Sequence, residues 1–122
     1  MTKNGEPEVY VCNYHGHNIY LAENYGKMNV LTEGRINPFS TDRLGHEIAT
    51  KMRDYTDKDY ILLSGSPVVV ALVSLVAAEK ADEITYLIWN AKVGNYEVRK
   101  IFRESLRLCL KGGATNYGHA ED

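Results

Sequence analysis

Residues 59–81, DYILLSGSPVVVALVSLVAAEKA, decide the fold. Tyr60, Ile61, Leu62 and Leu63 form an apolar run too short for a helix, which reads as a strand buried on both faces. Ser64-Gly65-Ser66-Pro67 breaks the run. Ser66 suits an N-cap, because its hydroxyl can accept from an orphan amide of the first helical turn. Pro67 suits the first helical position, where a missing N–H costs nothing. Residues 68–80 then predict a helix so rich in valine that packing, rather than intrinsic propensity, must hold it. Its apolar residues lie all round, which predicts burial on nearly every side. Leu62, Val69, Leu72, Val76 and Leu87 are the expected core. Asp82 and Glu83 interrupt the pattern, and 84–89 (ITYLIW) reads as a second buried strand. Strand, helix and strand in this order make a βαβ unit with parallel strands.

Upstream of this unit, residues 41–55 predict an amphipathic helix. Leu44, Ile48, Met52 and Tyr55 recur at helical spacing on one side, and Asp42, Arg43, Glu47, Lys51, Arg53 and Asp54 occupy the other. Ser40 or Thr41 can cap it, and Glu47 and Lys51 stand in the favourable order for a pair four apart. Residues 9–13 (VYVCN) and 27–32 (KMNVLT) read as strands. Between them 18–25 can form two helical turns, capped by Asn18 and stopped by Gly26. Residues 33–40 (EGRINPFS) are a loop, punctuated by Gly34, Asn37 and Pro38.

Downstream, 96–101 admits two readings. The Gly94-containing loop after Trp89 predicts a hairpin and an antiparallel edge strand. Val98, Ile101, Phe102, Ser105, Leu108 and Cys109 also fit a helical spacing capped by Asn95. The hairpin is preferred, and in either case 103–111 is helical and Gly112-Gly113 ends it.

A chain of 122 residues is one domain, expected to span 9–113 between a flexible N-terminus (1–8) and a flexible tail (114–122). The net charge of −2 argues against a whole-surface nucleic-acid binder. The apolar run 68–78 is shorter than the roughly 20 residues a membrane span needs, and residues 1–8 lack the apolar core of a signal peptide. Cys12 and Cys109 sit in apolar surroundings without a partner motif, which predicts free thiols, a reducing compartment and a cytoplasmic protein.

The assembled pattern resembles the broad Rossmann-like class in architecture: a small three-layer α/β sheet, mostly parallel, with an antiparallel edge hairpin and a C-terminal helix. In such sheets ligands bind at the carboxyl ends of the strands. That rim would carry Asn13, His15 and His17 after the first strand, and Thr32 and Glu33 after the second. Ser64, Gly65 and Ser66 follow the third, and Asn90 the fourth. The GxGxxG fingerprint and the Walker A motif are absent, and no cofactor is expected.

Ser64-Gly65-Ser66 at a helix start can cradle an anion, with His15 and His17 facing it, although the same residues make an ordinary strand-to-helix turn. On this reading Gly65→Val would block the ligand and leave the fold intact. His15-Gly16-His17 invites a metal reading with Glu33 or His46 as a third ligand, but no known ligand spacing is present, and no metal is expected. A serine nucleophile beside a histidine lacks the GxSxG elbow. Arg99, Arg103, Arg107 and Lys111 are spaced by four and would form a basic ridge on a helix. Nine tyrosines, among them Tyr14, Tyr20, Tyr25 and Tyr96, are more than a core of this size needs.

Two function classes follow. One is a binder of a phosphate-bearing or nucleotide-like small molecule at the strand rim, with catalysis left open. The other is a non-catalytic interaction protein, a homodimer or larger homo-oligomer, using surface tyrosines and the basic C-terminal segment.

Overall fold

The structure, a computed structural model, describes residues 5–112. Five strands form one mixed sheet: β1 (Glu8–Val11), β2 (Lys27–Val30), β3 (Tyr60–Leu62), β4 (Glu83–Asn90) and β5 (Asn95–Phe102). Their order is β2-β1-β3-β4-β5. The first four are parallel and β5 runs antiparallel to β4. Among the described residues, helices α1 (Thr41–Lys51), α2 (Pro67–Lys80) and α3 (Arg103–Leu110) and one 3-10 helix (Tyr20–Tyr25) join them. Glu8 thus opens β1, while residues 1–4 and the expected tail, 114–122, lie outside the described residues. No helix of the described residues is long and apolar enough to cross a membrane.

The alternation of side chains along each strand divides the core in two. Tyr10, Cys12, Ile61, Ile84 and Tyr86 meet Ile48 and Met52 beside Val69, Val73 and Ala77 of α2. The other face brings Val9, Val11, Leu62, Leu87 and Tyr96 against Ala22 of the 3-10 helix. One face therefore carries two α-helices and the other a single 3-10 helix, so the expected third layer is thin. Tyr10 and Tyr55 meet edge to face at 5.6 Å, and burial pushes both hydroxyls up from the usual tyrosine value.

Helix α2 starts as its residues dictate, with Ser66 Oγ accepting from the Val68 amide at 3.2 Å and Pro67 in the first turn. Its expected burial all round is corrected. Val69, Val73 and Ala77 are buried, Leu72 and Val76 are only partly so, and Leu75 is 67 % exposed. The sheet covers one side and α1 another, and among the described residues nothing covers the third.

Helix α1 ends at Lys51, four residues before the apolar stripe does. A turn from Met52 to Tyr55 (Tyr55 N to Met52 O, 2.9 Å) keeps both side chains in the core.

The hairpin reading of 96–101 holds. β5 pairs with β4 from Asn95 opposite Asn90 to Phe102 opposite Glu83. The amides of Val93 and Gly94 close the turn on the Asn90 carbonyl, and Gly94 takes the positive φ that such a turn favours. Arg99 is consequently on a strand, and the expected four-step basic ridge does not form. Arg103 and Arg107 instead turn to Asp82, at 3.6 and 3.1 Å.

Candidate functional site

Parallel β1 to β4 place their carboxyl ends on one rim, and the chain leaves β1 and β3 on opposite faces: β1 towards the 3-10 helix, β3 into α2. A crevice between such neighbours is the usual ligand position in an open α/β sheet. Here protein side chains fill it. Asn13, 4 % exposed, accepts with its backbone carbonyl from Ser64 Oγ at 2.7 Å, and its amide donates to the same oxygen at 3.2 Å. Asn13 Nδ2 donates to Thr32 Oγ1 at 2.9 Å and to the Gly34 carbonyl at 3.1 Å. Thr32 Oγ1 in turn donates to the Cys12 carbonyl at 2.7 Å. Asn13, Thr32 and Ser64 therefore converge as the rim listing implies, but they satisfy one another and tie together the ends of three strands.

Gly65 sits at φ +76°, and a Cβ there would stand 2.5 Å from Asn13 Cβ and Oδ1. The expectation that Gly65→Val leaves the fold intact is corrected: Asn13 occupies the space the side chain would need.

The rings of His15 and His17 meet at a tilt of 42° with centroids 4.5 Å apart, and His17 also packs on Tyr14 at 5.5 Å. Both nitrogens of His17 are enclosed, with no hydrogen-bond partner in the structure. Desolvation, and then the neighbouring charge of His15, hold its pKa below the usual imidazole value. In the unfolded chain that value returns to about 6.5, so on acidification the unfolded state gains a proton before the folded one. The stabilising contribution of neutral His17 is present above about pH 6.5 and is lost as the pH falls towards the depressed folded value. Between about pH 7.5 and 5.5 the melting temperature is expected to fall further in the wild type than in His17→Phe, which keeps the ring packing but cannot titrate. Parallel slopes would remove His17 from the acid response. Among the described residues no three potential metal ligands converge.

An open space on this rim lies one strand further out. A cleft of about 220 Å³ separates the end of β2 from the start of α1, and its lining includes Thr32, Glu33, Arg35, Asn37, Ser40 and Arg43. The loop is shaped by Asn37, whose Oδ1 accepts from the Phe39 amide at 3.0 Å and whose carbonyl accepts from the Ser40 amide at 3.1 Å. Ser40 occupies the N-cap position of α1 but makes no side-chain capping bond, which leaves the amides of the first turn open. Among the described residues Arg35 and Arg43 have no hydrogen-bond or ion-pair partner, while Glu47 beside them is held by Lys51 at 3.0 Å. The cleft thus combines two free guanidiniums with an uncapped helix start, a donor set suited to an anion. Thr32 and Glu33 are the expected residues that reach it; Arg35 and Arg43 are new. A signal for them exists in the sequence, one arginine inside the loop that leads to α1 and the other in its first turn.

Asn90 lies apart from this rim cluster, in a hollow of about 340 Å³ at the hairpin end shared with Ile88, Lys92, Glu97 and Arg99. Its side chain donates to Glu97, and that bond, followed by the charge of Arg99, holds the Glu97 carboxyl below the usual range. Cys12 and Cys109 are free thiols, and burial pushes Cys12 up to about 12.

No curated protein and no solved structure matches the chain. A family model does match, over residues 7–101, from just before β1 to the second-last residue of β5. The chain belongs to the family described as phage Pam3 gp32-like proteins.

Proposed function

We propose that this protein binds a small phosphate-bearing molecule, nucleotide-like in its anionic part, at the carboxyl rim of a Rossmann-like sheet. The anchor is the cleft between β2 and α1 rather than the Ser64-Gly65-Ser66 turn. One observation carries the reading: Arg35 and Arg43, both without an ion-pair partner among the described residues, flank the uncapped start of α1. Guanidiniums bind phosphate with paired, charge-assisted hydrogen bonds, and the helix start adds oriented amides. The volume of about 220 Å³ is below the usual range of whole-ligand pockets, roughly 300–1,000 Å³. It therefore takes a phosphate group and leaves the remainder of the ligand over the rim near Thr32 and Glu33. A reducing, cytoplasmic setting would suit the two free thiols, Cys12 and Cys109.

Calorimetric titration with inorganic phosphate and with nucleoside monophosphates tests the reading. Arg43→Ala is expected to weaken binding about 10- to 100-fold, the value of a charge-assisted hydrogen bond left unmade. Lys58→Ala, beyond the other end of the sheet, is expected to leave binding unchanged. Absence of heat and of any melting shift with all these anions at millimolar concentration would sink the proposal.

A further inference from the structure

The sheet has two open edges among the described residues, and they differ in length: β2 has four residues and β5 has eight. A long open edge is a template for another strand. Apolar side chains gather beside it. Val98 is 38 % exposed and Phe102 47 %, and α3, which follows directly, exposes Leu106 and Leu110 at 54 % and 87 %. Helix α3 is amphipathic, yet it buries none of its eight residues. A helix shorter than roughly 12 residues is marginal in water without packing, and here Arg103 and Arg107 tie only one side of it to Asp82.

We propose that the β5 edge and α3 form the surface on which a second copy of this chain docks, with β5 pairing antiparallel to β5 of its partner about Val98. The register follows from geometry and charge. Two identical strands paired antiparallel are related by a two-fold axis perpendicular to the sheet. Opposed residues share a face of the pleat, so some residue must lie opposite its own copy. Centring on Glu97, Arg99 or Lys100 sets a charge against itself. Centring on Val98 sets Val98 against Val98, and Glu97 against Arg99 in both directions. It also places Lys100 opposite Tyr96. Charged edge strands deter pairing in general, and this edge leaves one central register in which opposite signs meet. Within the single chain Arg99 folds back on Glu97 at 2.6 Å and on the Val98 carbonyl at 2.7 Å. Those groups exchange partners when the second strand arrives. The same register sets Phe102 opposite Gly94 of the other copy and brings α3 towards the turn that exposes Val93.

Sedimentation velocity over a micromolar series, with circular dichroism to confirm folding, tests the surface. The wild type is expected to be a dimer. Glu97→Arg and Arg99→Glu are each expected to weaken it about tenfold or more, since symmetry repeats every like-charge contact. The double variant restores opposite signs and is expected to recover the dimer. Val98→Cys in a Cys109→Ser background is expected to cross-link on mild oxidation, because opposed Cα atoms lie about 4.5–5.5 Å apart. A wild type that stays monomeric at 100-micromolar order overturns the proposal. So does a dimer indifferent to the single charge changes, or one that never cross-links through position 98.

Discussion

Gly65→Val is expected to cost about 3 kcal/mol of folding stability, from two separate causes. A left-handed backbone at φ +76° costs a side-chain-bearing residue roughly 1–2 kcal/mol. The new side chain must also displace Asn13, whose Cβ and Oδ1 stand 2.5 Å from the position a Cβ would take, and overpacking of this kind costs about 1–3 kcal/mol. Asn13 is not free to move, because it holds Thr32, Gly34 and Ser64. Urea unfolding measures the sum, and a double-mutant cycle separates the parts. In an Asn13→Gly background the steric part is expected to vanish and the backbone part to remain. Full additivity of the two changes would show that Asn13 and position 65 do not press on each other.

Ile61→Ala is expected to cost about 2–5 kcal/mol through lost transfer energy and the cavity left behind. Ile61 is fully buried in the middle strand, among the residues that meet α1 and α2. Leu75→Ala provides the contrast. Leu75 belongs to the most apolar helix of the chain but faces solvent, and its loss is expected to stay within about 0.5 kcal/mol. Leu72, partly buried, should fall between them. Equal costs at positions 61 and 75 would mean that the outer side of α2 is covered in solution.

That contrast marks what a sequence can convey about this fold. The strand, cap and helix of 60–80 were legible because Ser66 and Pro67 carry local chemistry that needs no tertiary context. The burial of α2 was not, because a uniformly apolar helix carries no periodicity that says which side is covered. Residues 98–109 keep a helical spacing, yet 95–102 pairs along the whole of β4. Without β5, the edge of β4 that faces away from β3 would be left unpaired along its eight residues, and that demand outweighs a side-chain pattern compatible with either state. The tyrosine count did not say which rings are covered. Tyr10, Tyr55, Tyr86 and Tyr96 are buried and Tyr20 is largely exposed, so the exposed apolar surface is built mostly from other residues.

For the site, the convergence of Asn13, Thr32 and Ser64 followed from strand order, but the residue types alone could not tell a ligand cradle from a self-satisfied tie. The placement of Arg35 and Arg43 depends on the path of residues 33–40, which is set by Asn37 and by the missing cap at Ser40, and punctuation residues predict a loop without its course.

The reversal of β5 decides how the molecule can be held. β1 begins at Glu8, and β5 ends at Phe102 beside Glu83, the first residue of β4. The chain therefore enters and leaves the sheet on the same side, opposite the cleft between β2 and α1. A group joined directly to the start of β1 or to the end of β5 would sit away from that opening. A bead, a label or a larger fused protein attached there would carry the cleft facing outward, like a cup fixed by its base.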